Sequence, residues 1–155
     1  METKSLKIVE GKRVDLIDQT DLFKEHWDEV ARNKQVMILD PDKAAYEHLE
    51  SLGALFTLIA YGEDEVVGYS VNMISPHLHY KSLITCQNDI IFVKKEYRTS
   101  SPVGLRLIRA TEKAAKDKGA KIMLWHAKEG SVFANLLPRI KYQVQDIAFS
   151  KVLEN

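Results

Sequence analysis

A basic segment near the middle of the chain joins an apolar, strand-like run to an amphipathic helix pattern, and this transition limits the possible folds. The apolar run covers residues 83–93, and the connecting residues 94–102 are rich in basic and hydroxyl side chains. Over residues 103–118, apolar side chains recur at helical spacing. A strand that leads directly into an amphipathic helix predicts an α/β architecture, because the apolar stripe of the helix must pack on a sheet.

Composition and charge are those of an ordinary globular protein. The 155 residues are 45% hydrophobic and 28% charged, which excludes a mostly disordered chain, a collagen-like fibre and a cysteine-rich scaffold. The 22 basic and 22 acidic residues cancel, so bulk charge gives no reason to expect binding to nucleic acid or to an anionic membrane. We predict one domain over residues 1–155.

Two further features concern the location of the protein. The apolar runs are too short to cross a bilayer, and no apolar signal core is present near Met1. The one cysteine, Cys86, cannot form an internal disulfide. We therefore expect a cytoplasmic protein, and we expect Cys86 to be a buried structural residue rather than a nucleophile.

Periodicity and capping residues predict the other elements, in the order β-α-α-β-β-β-α-β-α-β. Asp40 and Pro41 are suited to open the second helix, Gly53 can end it, and Pro138 would stop the last one. Residues 62–65 are predicted to form the turn of a hairpin. The first strand is 6–9 or 14–17, and the later strands are 55–61, 66–74, 83–93, 120–126 and 142–153. The helices begin at residues 20 or 21, 40, 103 and 131.

The segment before the third helix has the features of an anion-binding site. The N–H groups in the first turn of a helix have no partners within the helix and carry partial positive charge, which suits a pyrophosphate. Gly104 lets a ligand approach the backbone closely, and Arg98 can add a charged fork. No G-x-x-x-x-G-K-[ST] or G-x-G-x-x-G motif is present, so the segment is neither a P-loop nor a dinucleotide-binding loop.

This segment resembles the acetyl-CoA loop of the GNAT superfamily of N-acetyltransferases, R/Q-x-x-G-x-G/A, which follows a strand and opens a helix. Arg98, Gly104 and the pair Leu107-Ile108 match the Arg, the last Gly and the apolar pair of that pattern. The spacing from Arg98 to Gly104 is one residue longer than in the pattern, and Pro102 or Ser101 replaces the first Gly. The longer spacing is similar to that of small bacteriophage members, as are residues 76–80.

The resemblance implies a fold, a co-substrate and an activity. The expected fold is α/β (α+β), a mixed, mostly antiparallel central sheet of six to seven strands flanked by about four helices. The expected activity is direct transfer of an acetyl group from acetyl-CoA to a primary amine. The backbone of the strand before the loop would bind the pantetheine through Ile91, Phe92 and Val93. The phosphates would be bound by Arg98, Thr99, Ser100, Ser101, Val103 and Gly104.

A base must accept the proton of the attacking amine, and Asp89 is the first candidate. It lies in the strand that leads to the loop, where partial burial of a carboxylate tends to raise its pKa. The alternative is that Asp89 is a structural acceptor for backbone N–H groups. His79, which shares a face with His77 in an extended segment, is the next candidate, and Tyr80 could orient a substrate or act as an acid. A solvated polar loop is the alternative for these residues.

The acid that would protonate the leaving thiolate is less evident. The family often places a Tyr in its late helix, and counting back from Tyr142 this position is Leu137. Either Tyr142, Ser131 or water serves as the acid, or the thiolate leaves unassisted. Lys141 stands where the family has the Gly of an LGF sequence. The missing Tyr and the altered loop support a second hypothesis, in which the fold is a binding module for a protein partner with weak or no catalysis.

Several points stay open at this level. The acceptor is a protein lysine, a protein N-terminus or a small amine, and a homodimer is neither favoured nor excluded. His77, His79 and His126 do not have the spacing of a zinc motif, so we predict no metal site.

Overall fold

The computed structural model describes residues 5–99 and 101–154, which form five strands and four α-helices. The strands are β1 (Leu6–Gly11), β2 (Leu55–Gly62), β3 (Glu65–Pro76), β4 (Ile84–Val93) and β5 (Ile122–Leu124). The α-helices are α1 (Thr20–Val30), α2 (Lys43–Ser51), α3 (Val103–Asp117) and α4 (Val132–Arg139). The strands form one sheet in the order β1-β2-β3-β4-β5, antiparallel throughout except for the parallel pair β4 and β5.

The sheet has a helical layer on each face. The α3 face is covered by the apolar stripe of α3, which the sequence predicted, with Val103 and Leu107 fully buried. The other face carries α1 and α2, with Leu22 and Phe23 packed over Tyr69 and Phe92. The strands between these layers are nearly continuous apolar runs because both of their faces are buried.

Local sequence accounts for most element boundaries. Glu63 and Asp64 have φ angles of 51° and 69° and form the two-residue turn of the β2–β3 hairpin, because positive φ at both positions matches the twist of the strands. The side chain of Asp42, rather than Asp40, caps α2 by accepting the N–H of Ala45 at 2.9 Å. Pro138 lies inside α4 instead of stopping it.

The predicted fold class is confirmed, and β1 confirms the first of the two alternatives for the first strand, whereas residues 14–17 overlap a 3-10 helix, Arg13–Leu16. The predicted strand count and the predicted last strand are wrong: among the described residues the sheet has five strands rather than six or seven. The final strand predicted over residues 142–153 does not form, and residues 143–154 make no backbone hydrogen bond to another described residue. Alternation indicates an extended chain, but a strand also needs a partner edge, and β5 is only three residues long. Ile147 and Phe149 are consequently 73% and 92% exposed.

Candidate functional site

The outer edge of β4 is open over its second half. β5 pairs with β4 only at Thr85–Gln87, and the described residues supply no strand beyond that point. The N–H of Lys94 donates to Val67 of β3 at 2.9 Å. Because antiparallel strands alternate, the peptide groups of Phe92 face β3, whereas those of Ile91 and Val93 face the open edge. This edge can therefore bind an extended ligand through backbone hydrogen bonds, as an added strand would.

A β-bulge interrupts β4 where the edge opens. Ile90 pairs with Val71 and Asn88 pairs with Asn72, so Asp89 between them has no partner in β3. The side-chain amide nitrogen of Asn88 lies 3.1 Å from the carbonyl oxygen of Val71 and 3.0 Å from that of Ile90, so it bridges the bulge. Bulges are found near functional sites because they re-aim a side chain and end a pairing.

A buried polar network supports the bulge from the α3 face. Thr111 of α3 donates to Ser70 at 3.1 Å, and Asn88 donates to Asn72 at 2.9 Å. All four residues are at most 1% exposed. Sequence reasoning missed this group, although its signal was visible: polar residues stand in apolar strands, and Thr111 lies one helical turn after Leu107 on the apolar stripe.

Asp89 lies beside two other polar side chains near the point where β4 and β5 separate. The residue is solvent-accessible, but nearby protein atoms displace enough water to raise the pKa of its carboxyl, and the positive form of His126 partly opposes this effect. Nε2 of His126 lies 2.8 Å from the amide nitrogen of Gln87. Burial raises the pKa of Tyr46, and the negative charge of Asp89 adds to that rise. From the sequence, His126 is a candidate only for a zinc site.

The structure does not bring the other catalytic candidates to Asp89. His79 and Tyr80 lie in the exposed connection between β3 and β4, where the N–H of His79 donates to Nδ1 of His77 at 3.1 Å. The strand that follows them, β4, begins at Ile84. Asp89 lies five residues further along β4, a distance of about 17 Å. His79 and Tyr80 therefore lie toward the opposite end of β4 from the open edge.

The loop that follows β4 leads to the exposed N-terminus of α3. A Cβ added at Gly104 would meet no heavy atom of the described residues within 4 Å, apart from its own chain neighbours and helix backbone, so none of these residues fills the space above this turn. Ser101 accepts the N–H of Val103 at 3.2 Å, and the Val103 side chain is buried in the core. Thr99 is exposed, and Ser100 lies outside the described residues.

Arg98 is bound to other protein groups. Its Nη1 and Nη2 atoms donate to the two carboxylate oxygens of Glu29 in α1, at 2.6 and 2.8 Å. Its Nε donates to the carbonyl oxygen of Val93 at 2.7 Å, and its Cζ lies 5.1 Å from the centroid of the Phe92 ring. The hydrogen-bonded Arg98 guanidinium holds the pKa of Glu29 below its usual range. Sequence reasoning could not find Glu29, which is 69 positions away from Arg98.

The residues considered for a leaving-group acid also have structural partners. The hydroxyl of Tyr142 donates to Glu112 at 2.5 Å, and burial raises its pKa. The hydroxyl of Ser131 caps α4 by accepting the N–H of Ala134 at 3.0 Å. Cys86 is buried in the core, and burial raises the pKa of its thiol to about 11.

Neither a metal cluster nor a membrane span is found in the part of the chain that the structure describes. No three His, Cys, Asp or Glu side chains among residues 5–99 and 101–154 are grouped to hold a metal ion. None of the helices formed by these residues has the length and apolar character needed to span a membrane.

Comparison with known proteins finds solved structures that share this fold. No protein-family model and no curated protein matches the chain. Among solved structures, an aminoglycoside acetyltransferase from an uncultured soil metagenomic sample has a TM-score of 0.73 at 19% identity, with 96% of this chain and 97% of that chain covered. The ribosomal-protein-alanine N-acetyltransferase of Brucella melitensis biovar Abortus 2308 has a TM-score of 0.71 at 18% identity, with 97% and 99% covered.

A third solved structure contains a coenzyme analogue. AAC(6')-Iy in complex with the bisubstrate analogue CoA-S-monomethyl-acetylneamine has a TM-score of 0.67 at 19% identity, with 96% of this chain and 99% of that chain covered. These structures do not support the narrower resemblance to bacteriophage members. At identities this low the likeness shows the fold alone, and the chain has the fold of the GNAT acetyltransferases.

Proposed function

We propose that the protein is an acetyl-CoA-dependent N-acetyltransferase that transfers an acetyl group directly to a primary amine. The observation that carries this proposal is the continuity of two features: the open backbone edge of β4, and the open space above Gly104 at the N-terminus of α3. The first suits an extended amide-containing chain, and the second suits a pyrophosphate. Pantetheine and pyrophosphate are joined in this order in coenzyme A.

The residues present fit such a co-substrate. The outward peptide groups of Ile91 and Val93 would bind the pantetheine, although the carbonyl of Val93 already accepts a bond from Arg98. The N–H groups at the start of α3 would bind the pyrophosphate from Gly104 onward, where there is room for it, because the N–H of Val103 already donates to Ser101 at 3.2 Å. Pro102 at the N-cap position has no N–H to contribute. Thr99, Ser100 and Ser101 complete the proposed phosphate-binding loop.

Asp89 is the proposed base. Acetyl-CoA supplies the acetyl group as a thioester, and the amine must be neutral when its nitrogen forms a bond to the carbonyl carbon and the carbon–sulfur bond breaks. The bulge directs Asp89 away from β3 pairing and places it next to the open edge, and its raised pKa makes it a better proton acceptor than an ordinary carboxylate. The proton of the amine would pass to Asp89 directly or through water.

The acceptor is proposed only as a class. The solved structures above include an aminoglycoside acetyltransferase and a ribosomal-protein-alanine N-acetyltransferase, so the shared fold serves both small-molecule and protein amines. Primary amines of both kinds should therefore be offered in assays.

Calorimetry with acetyl-CoA and with CoA tests this proposal. We expect micromolar affinity, and we expect Gly104→Ala to weaken it about tenfold because the new methyl occupies the space proposed for the phosphates. Gly104→Ala should leave the protein as stable as before or slightly more stable, since Ala favours helix. Lys116→Ala, at the exposed far end of α3, is the matched control. Absence of binding by the unmodified protein would refute the proposal.

One observation favours a second candidate function. Tyr142 and Ser131 both have structural partners, and Leu137 occupies the position of the family's Tyr. A protein that binds acetyl-CoA but shows no turnover with a broad panel of amines would therefore be a binding module. Turnover with any amine would exclude this candidate.

A further inference from the structure

Both edges of the Arg98 guanidinium that could bind an anion through two N–H groups already donate hydrogen bonds to protein groups. A guanidinium has five N–H donors arranged as a planar fork. The Nη1–Nη2 edge is used by the carboxylate of Glu29, and the edge that includes Nε is used by the carbonyl of Val93. An arginine that binds an incoming phosphate bidentately must offer a free edge. Arg98 would have to release Glu29 or Val93 to do so.

The positive charge of Arg98 is also neutralised by its ion pair with Glu29. Glu29 accepts two short hydrogen bonds from it, which keep the pKa of Glu29 low and its carboxylate negative. The pair therefore adds little positive potential to the loop. Attraction of a pyrophosphate is left to the N–H groups at the N-terminus of α3.

The position of the pair indicates what it does. Glu29 lies in the last turn of α1, Val93 ends β4, and Arg98 lies in the loop five residues before α3 begins. One guanidinium thus joins a helix, the open strand and the proposed phosphate-binding loop. One turn earlier in α1, the ring of His26 stacks on Phe92 with centroids 4.6 Å apart. The end of α1 is therefore attached to the open part of β4 at two points.

We propose that Glu29 and Arg98 are positioning residues that hold the loop, over its described residues 95–99 and 101–104, in its binding conformation, and that Arg98 does not itself bind the phosphates. This inference rests on the proposed function, because it assigns a role within the same coenzyme site.

Opposite effects of one substitution distinguish this role from direct phosphate binding. If Arg98 positions the loop, Glu29→Gln and Arg98→Gln should each weaken acetyl-CoA binding about tenfold, and the double variant should bind no more weakly than either single variant. If Arg98 binds phosphate, Glu29→Gln frees a positive charge and tightens binding. That result would overturn the inference.

Salt dependence and a neighbouring carboxylate provide the controls. Because Arg98 makes no phosphate contact in this proposal, Arg98→Gln should leave the slope of log affinity against log salt concentration unchanged, and a shallower slope would contradict it. Asp28→Asn removes the adjacent carboxylate of α1, which pairs with Lys24 at 2.8 Å, and should leave acetyl-CoA affinity unaltered.

Hydrogen exchange of the protein without coenzyme separates this inference from the proposed function. Glu29→Gln should speed amide exchange over residues 95–99 and 101–104 about tenfold, and Asp28→Asn should not. If the unmodified protein fails to bind acetyl-CoA, the proposed function fails, and unchanged exchange in Glu29→Gln would still refute the positioning role. If the protein binds acetyl-CoA and both Glu29→Gln and Arg98→Gln bind it equally well, only the positioning role fails.

Discussion

Nδ1 of His26 lies 2.6 Å from the hydroxyl oxygen of Tyr69, and both side chains are buried between α1 and the sheet. Tyr69 lies in β3, opposite Phe92 of β4, so the hydrogen bond attaches α1 to β3, next to the strand β4 whose outer edge is open. Burial of an imidazole without a charged partner in hydrogen-bonding contact disfavours its protonated form. Burial accordingly lowers the pKa of His26 to about 4, an effect that Glu29 opposes and Arg98 and Lys128 reinforce.

This low pKa predicts a loss of stability in mild acid. His26 has an ordinary pKa of 6.5 in the unfolded chain and about 4 in the folded protein, so the unfolded chain binds the extra proton between these values. The stabilisation is complete above pH 6.5 and is lost as the pH falls toward 4. We expect His26 to account for a decrease of up to about 3 kcal/mol in the free energy of unfolding over this range.

Urea unfolding at a series of pH values measures this decrease. His26→Gln, which cannot titrate, should flatten the dependence between pH 6.5 and 4. His48→Gln is the matched control, because His48 lies on the exposed face of α2. Equal slopes for His26→Gln and the unmodified protein would show that His26 is not the responsible group.

The amide of Asn88 should be among the most sensitive positions for stability. Its amide nitrogen donates to the carbonyls of Val71 and Ile90 on either side of the bulge, and Asn88 is 1% exposed. Asn88→Ala leaves these buried acceptors without their donor, and we expect a loss of about 2–3 kcal/mol in the free energy of unfolding. Asn135→Ala, at an exposed position of α4, should change it by less than about 0.5 kcal/mol. A loss for Asn88→Ala as small as that of the control would mean that the bulge does not depend on this amide.

Asp89→Asn should separate catalysis from coenzyme binding. We expect turnover to fall about 10²- to 10⁴-fold with unchanged acetyl-CoA affinity, because the amide keeps the shape of the side chain but cannot accept the proton. In the unmodified protein the proposed acetyl-transfer rate should fall on the acid side, with a midpoint above the ordinary pKa of an aspartate, since partial burial raises the pKa of Asp89. Steady-state rates across pH measure both effects. An acid limb that persists in Asp89→Asn would assign the proton transfer to another group.

Lys141 follows Ile140, the C-cap residue of α4, and has a φ angle of 73°, in the left-handed region that favours glycine. The family resemblance expects a Gly at this position, and nothing about a Lys side chain favours this backbone conformation. We expect Lys141→Gly to raise the free energy of unfolding by about 0.5–1 kcal/mol, as the relief of backbone strain exceeds the added entropy of the unfolded chain. Lys141→Ala retains the strain and should give no such gain in a thermal unfolding comparison.

The sequence predicted the features that depend on neighbouring residues. Helical spacing and the position of Gly119 were enough to predict α3, and the four residues around Glu63 and Asp64 were enough to predict the β2–β3 turn. The exposed helix N-terminus after β4 also follows from local sequence, because a strand pattern ends and a helix pattern begins within ten residues. These properties are encoded within a few turns of backbone, so one-dimensional patterns report them.

Pairing and partner choice could not be read in this way. The bulge at Asp89 results from a shift in register between β3 and β4. The predicted last strand does not form because β5, its partner edge, is only three residues long, although the alternation of residues 142–153 suits a strand. The binding of Arg98 by Glu29 crosses 69 positions of sequence and depends on where α1 packs. Local spacing determined which residues share a face of a helix or strand, and only tertiary packing decided which side chains meet, because a contact between distant residues depends on register and on the position of whole elements.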